Sequence, residues 1–121
     1  MTILDELIRE GFEPITEWVL KGARIGPKSF DWKDQSGWLY AFVIEGDVKY
    51  IGLTTRVLRS RMSDYSHIRN SQTDEKRALV LNALSNGKRV LVYGLKHRDE
   101  GTLAAAEARL RAQHRPSWNR V

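Results

Sequence analysis

Between Thr2 and Phe12, Ile3, Leu4, Leu7 and Ile8 recur at helical spacing. Thr2 suits the N-cap of that helix and Gly11 its stop. Pro14 fits the first turn of a second short helix carrying Ile15, Trp18 and Val19 and ending near Gly22. Gly26-Pro27 breaks the pattern, and Lys28 to Ser36 reads as loop. From Gly37 the period shortens. Trp38 to Ile44 is rich in aromatic and β-branched residues, Glu45-Gly46-Asp47 is a turn, and Val48 to Leu53 is a second strand. So short a turn makes the pair antiparallel. Val57 to Arg69 predicts a helix and Asn70 to Thr73 a polar break, with Ser71 or Thr73 as cap. Asp74 to Asn86 is a further helix with Leu79, Val80, Ala83 and Leu84 on one side and Gly87 as stop. Arg89 to Leu95 is a third strand, Thr102 to His114 an Ala-rich helix, and Pro116 opens a short tail.

The order β-β-α-α-β-α predicts an α+β fold, a small three-stranded antiparallel sheet flanked by helices. Residues 1–36 are expected to form an N-terminal helical extension and residues 37–121 the main domain. A chain of 121 residues with 41% hydrophobic positions and four Trp can bury one modest core. No run approaches the roughly 18–20 apolar residues of a membrane span. Asp5, Glu6, Arg9 and Glu10 interrupt the first apolar positions, unlike a signal peptide. The absence of Cys excludes disulfides and thiolate metal sites and fits a cytoplasmic location. A net charge of +5 favours an anionic partner, with nucleic acid the leading candidate.

Two helices carry charge where the pattern wants apolar residues. On the helix after the second strand, Arg61 and Tyr65 fall inside the arc of Val57, Leu58, Met62 and Ile68. An arginine there snorkels, pairs with a buried acid, or holds a phosphate in its fork of donors. On the last helix, Glu107 lies between Leu103, Ala106 and Leu110. Such a carboxylate wants a proton, an arginine such as Arg61, or a hard cation of the Mg²⁺ type. His67, His97 and His114 have no mutual metal spacing and read as surface or edge residues. Trp38 and Trp118 read as core. Arg56, Arg59, Arg69, Lys76 and Arg77 form a basic run around the break between two helices. It is either a solvated face or a set of phosphate-backbone contacts.

Together these residues resemble the GIY-YIG nuclease superfamily. Trp38-Leu39-Tyr40 is similar to its first motif, and Tyr50-Ile51-Gly52 matches its second. Arg61 matches the family's helix arginine, and Tyr65 the His or Tyr one turn later. Glu107 matches the metal-binding glutamate and Asn119 the terminal asparagine. The match runs from Gly37 to Asn119. Trp38-Leu39 departs from Gly-Ile, and Arg61 is displaced by about one residue relative to some members, which leaves Arg59 and Arg56 as alternatives. Residues 1–36 have no counterpart.

The resemblance implies metal-dependent endonucleolytic cleavage of DNA with one divalent ion, Mg²⁺ or Mn²⁺, anchored by Glu107. Arg61 would hold the phosphate. Tyr40 is favoured as the base, Tyr50 as positioner of phosphate and water, Tyr65 as a hydrogen-bonding partner, and Asn119 as a brace. A base role for tyrosine needs a depressed pKa, supplied by Arg61, Lys49 or the metal. Lys49, Arg56, Arg59, Arg69, Lys76 and Arg77 would contact the nucleic acid. The competing readings are a non-catalytic nucleic-acid-binding module with a residual site, and a protein-interaction domain built on the N-terminal helices. Either residues 1–36 help dock DNA or specificity is low, unless a second copy or a partner protein supplies it.

Overall fold

The computed structural model describes residues 1–28, 35–66, 71–97 and 100–119. Among them the chain runs α1 (Ile3–Arg9), β1 (Glu13–Lys21), β2 (Arg24–Pro27), β3 (Ser36–Ile44), β4 (Asp47–Val57), α2 (Leu58–Ser66), α3 (Ser71–Ser85), β5 (Val90–Lys96) and α4 (Glu100–His114). Five strands form one sheet in the order β2-β1-β5-β3-β4, every neighbouring pair antiparallel.

The expected α+β class holds, but the sheet has five strands rather than three. The two extra strands come from residues 13–27, read from sequence as helix and loop. Helical spacing of Ile15, Trp18 and Val19 suggested the helix. Instead Trp18 and Ile15 pack on one sheet face as strand residues. Pro14 is tolerated inside the sheet because the β1–β5 register shifts between Pro14 and Thr16. Gly22 was read as a helix stop. It is the first residue of the two-residue loop between the partners Lys21 and Arg24, at φ 68°. Among the described residues of the expected helical extension, only α1 is helix. It starts as its sequence demands: Thr2 accepts a hydrogen bond from the Asp5 N–H and its own N–H donates to the Asp5 carboxylate, both 3.1 Å.

The sheet divides the core in two. On one face α2 and α3 meet the strands through Leu58, Met62, Tyr65, Val80 and Ala83, which pack with Trp18, Ile25, Tyr40, Phe42, Val90 and Val92. On the other face Leu7 and Phe12 from the first segment, and Leu103 and Leu110 of α4, cover Leu39, Ala41, Val43, Val48 and Ile51. The alternation of β3 explains this division, because Tyr40 and Phe42 point one way and Leu39, Ala41 and Val43 the other.

Candidate active site

Tyr40 and Tyr50 share a face only because β4 is bulged. Val43 pairs with Val48 and Phe42 with Tyr50, so Lys49 is an extra residue between them. Val48 faces α4 and Tyr50 faces α2 and α3, although they are two apart. A regular strand would have put both on one face. The two tyrosine rings lie 6.1 Å apart, and Tyr50 is half-buried where Tyr40 is fully enclosed.

Opposite Tyr40 stands Gly52. The Tyr40 ring crosses directly over it: a Cβ at position 52 would lie 2.6 Å from Cζ and 2.7 Å from the hydroxyl oxygen. The glycine of the second motif therefore makes room for the tyrosine of the first.

From above, α2 brings Arg61 and Tyr65 down on the pair. The Tyr40 and Tyr65 hydroxyls share a hydrogen bond of 2.6 Å, and Arg61 Nε donates to the Tyr40 hydroxyl at 3.0 Å. The Arg61 guanidinium carbon sits 5.3 Å from the Tyr65 ring centroid. Burial pushes the Tyr40 hydroxyl well above the usual phenol range, and neighbouring Tyr50 adds to the shift. Arg61 and the Tyr65 hydrogen bond oppose it only in part. Burial also raises Tyr65. Burial works against the charge of Arg61, but Tyr40 and Tyr65 beside it more than offset this, and the guanidinium is held ionised. At rest the cluster is thus two neutral phenols and one fixed cation, whereas a base role for Tyr40 requires a shift in the opposite direction.

Asn119 sits at the edge of the sheet and holds the middle of the second motif. Its amide accepts from the Ile51 N–H and donates to the Ile51 C=O, both at 2.8 Å. The Trp118 N–H donates to the carbonyl of the bulged Lys49 at 2.8 Å. The tail therefore occupies the outer side of β4, an edge strand with backbone groups otherwise open. Its backbone contacts bracket Tyr50.

Among the described residues Glu107 makes no hydrogen bond or ion pair with the tyrosine cluster. Its helix packs on the other sheet face, and its ion-pair partner is Arg111 one turn on, at 3.5 Å, not Arg61. It lines an open cavity of about 690 Å³ with Ala108, Arg111, Ala112 and Arg115. Among the described residues no three of His, Cys, Asp and Glu come together as a metal cage.

The basic residues divide by burial. Arg56 and Arg59 are exposed and Lys49 is half-exposed, 4.0 Å from Asp47. Lys76 is mostly buried: its ammonium lies 5.3 Å over the Tyr50 ring and 3.1 Å from Glu75. Arg77 is half-buried beside Asp74 at 3.6 Å. Arg69 and His67 lie outside the described residues.

Two roles were missed in the sequence. Asp64, buried on α2, ion-pairs with both Arg56 and Arg61. The i,i+3 spacing from Arg61 could have signalled it. The contact of Lys76 with Tyr50 carries no sequence signal, because α3 meets β4 only in the fold.

No protein-family model and no curated protein matches the chain. Solved structures share its fold, and two of them are nucleases by name. One is a bacteriophage T4 EndoII mutant, 24% identical, with a TM-score of 0.78 over 97% of this chain and 98% of that one. The other is the restriction endonuclease HPY188I in complex with product DNA, 19% identical, with a TM-score of 0.60 over 81% of this chain and 62% of that one.

Proposed function

We propose that the protein is a GIY-YIG-type endonuclease that hydrolyses DNA phosphodiester bonds. The observation that carries this reading is the Tyr40–Arg61–Tyr65 hydrogen-bonded cluster with Tyr50 at its rim. The fold shared with two nuclease structures supports it.

Arg61 donates to Tyr40 and lies over Tyr65, which narrows the directions its outer nitrogens can take before a phosphate arrives. Tyr50, the tyrosine that reaches solvent, orients the attacking water. Tyr40 first gives up its own proton to solvent, and the phenolate, favoured by the Arg61 Nε–H, then takes the proton of the attacking water. Because burial opposes that phenolate, cleavage is expected to climb as pH rises above neutrality. Asn119 keeps β4 in register beneath the substrate.

Among the described residues Glu107 is the one acidic group lining a cavity it shares with Arg111 and Arg115, so it would hold Mg²⁺ or Mn²⁺ only once Arg111 releases it, with the ion keeping most of its water. When bound, the ion would offset charge on the nonbridging and leaving oxygens.

The test is nicking of supercoiled plasmid in Mg²⁺, Mn²⁺ or EDTA. The parent protein should nick with metal and stop in EDTA. Glu107→Ala should be inactive and melt like the parent. If it cuts as well as the parent, the assignment of Glu107 is wrong. Binding without nicking in any metal would favour the non-catalytic module.

A further inference from the structure

Arg61 is held from three sides, and only two of them belong to the tyrosine cluster. Its Nε is committed to Tyr40, and its plane rests over Tyr65. The third side is Asp64, whose Oδ2 lies 3.8 Å from Arg61 Nη1 and also ion-pairs with Arg56 Nη2. The Asp64 side chain is 12% exposed, that of Arg61 23%, and that of Arg56 55%. One buried carboxylate thus links an inner arginine, inside the site, to an outer one in solvent.

We infer that Asp64 is a positioning residue, a strut that fixes Arg61 on the scissile phosphate and sets Arg56 beside it for a neighbouring phosphate of the same strand. This rests on the phosphodiesterase reading of the cluster. The physical case has two parts. An enclosed guanidinium with one neutral acceptor retains freedom to swing, and a second anchor on Nη1 removes it. A carboxylate shared by two arginines also keeps their like charges close without repulsion, leaving a net positive pair facing outward. The paired cations suit a polynucleotide strand better than an isolated phosphodiester.

The sign of the electrostatics makes the inference testable. Removing the Asp64 charge makes the surface more positive, so DNA binding should hold or tighten. Removing the strut loosens Arg61, so turnover should fall. Asp64→Asn keeps the shape and loses the charge. Its expected behaviour is plasmid-fragment affinity in EDTA equal to or tighter than the parent, KM no higher, and kcat lower by about tenfold or more. Asp64→Glu, which keeps the charge, should recover part of kcat. A small phosphodiester such as bis-p-nitrophenyl phosphate should be a poor substrate for the parent. Melting temperatures monitor folding.

An Asp64→Asn protein that cuts like the parent overturns the inference. So does one that loses DNA affinity and kcat together with its melting transition, which marks a purely structural residue. If the parent itself cuts nothing in Mg²⁺ or Mn²⁺, the phosphodiesterase reading fails and the strut falls with it.

Discussion

The Tyr40 ring lies across Gly52 of the neighbouring strand, with no room for even one carbon between them. The Tyr40 ring is buried and cannot swing aside without giving up the bonds its hydroxyl makes to Arg61 and Tyr65. Gly52→Ala should therefore cost about 1–3 kcal/mol through overpacking. It should also reduce cleavage more than a stability loss of that size explains, since the folded fraction stays high. Urea unfolding and plasmid nicking on the same preparation give the comparison. An alanine variant with parental activity would show that the ring position is dispensable.

Asn119 contributes two backbone hydrogen bonds to one residue, Ile51. Asn119→Ala removes both, at about 0.5–1.5 kcal/mol each. Asn119→Asp keeps the acceptor for the Ile51 N–H but turns a carboxylate oxygen on the Ile51 carbonyl. It should therefore be less stable than the alanine variant at neutral pH and recover in acid, where a protonated carboxyl can donate. Urea titrations at pH 4 and pH 7 distinguish the two. Equal loss at both pH values would argue against a donating role for the amide.

Lys76 holds its ammonium over the ring of Tyr50. Lys76→Met keeps the stem over the ring and removes the charge. It should lower the salt dependence of DNA binding by about one unit of slope, whereas Lys76→Arg should restore it. The measurement is affinity in EDTA across a salt series. An unchanged slope in the methionine variant would mean that the ammonium serves the ring alone.

Away from the site, Glu17 on β1 accepts two bonds from Arg89, at 3.0 and 3.1 Å, and one from Lys28 at 2.7 Å. Arg89 first and Lys28 second pull its carboxyl down to about 2. A folded-state pKa below the unfolded one stabilises the fold above the unfolded value of 4.5, and that stabilisation is lost as pH falls toward 2. Both cationic partners are largely in solvent, so the contribution is of the order of 1 kcal/mol. Glu17→Gln should flatten the stability profile between those two pH values, as read by chemical denaturation. A profile that stays as steep as the parent's would place the acid sensitivity elsewhere.

The hairpin of Tyr40 and Tyr50, the helix of Arg61 and the helix of Glu107 were legible because each carries a local period and a turn or cap. The β1–β2 hairpin was not. Ile15, Trp18 and Val19 satisfy helical spacing, and a left-handed glycine such as Gly22 serves a helix end and a hairpin loop equally. Only pairing with β5, more than sixty residues away in sequence, decides between them. The same limit applied at the site. Arg61 and Tyr65 could be put on one face from spacing alone. That Glu107 pairs with Arg111, and that Asp64 bridges two arginines, depends on side-chain packing that periodicity does not encode.

The grip of Asn119 on Ile51 also carries a temporal consequence. During synthesis Ile51, on the second strand of the tyrosine hairpin, emerges 68 residues before the side chain that holds it. A ribosome-bound chain stopped short of Trp118 would carry both motifs with the outer side of β4 bare. Such a fragment is open to pairing with any passing strand, and its Tyr50 is braced only from within the sheet. Full assembly of the cluster thus waits for Trp118 and Asn119, so a product truncated before them would hold both tyrosine motifs without their finished geometry.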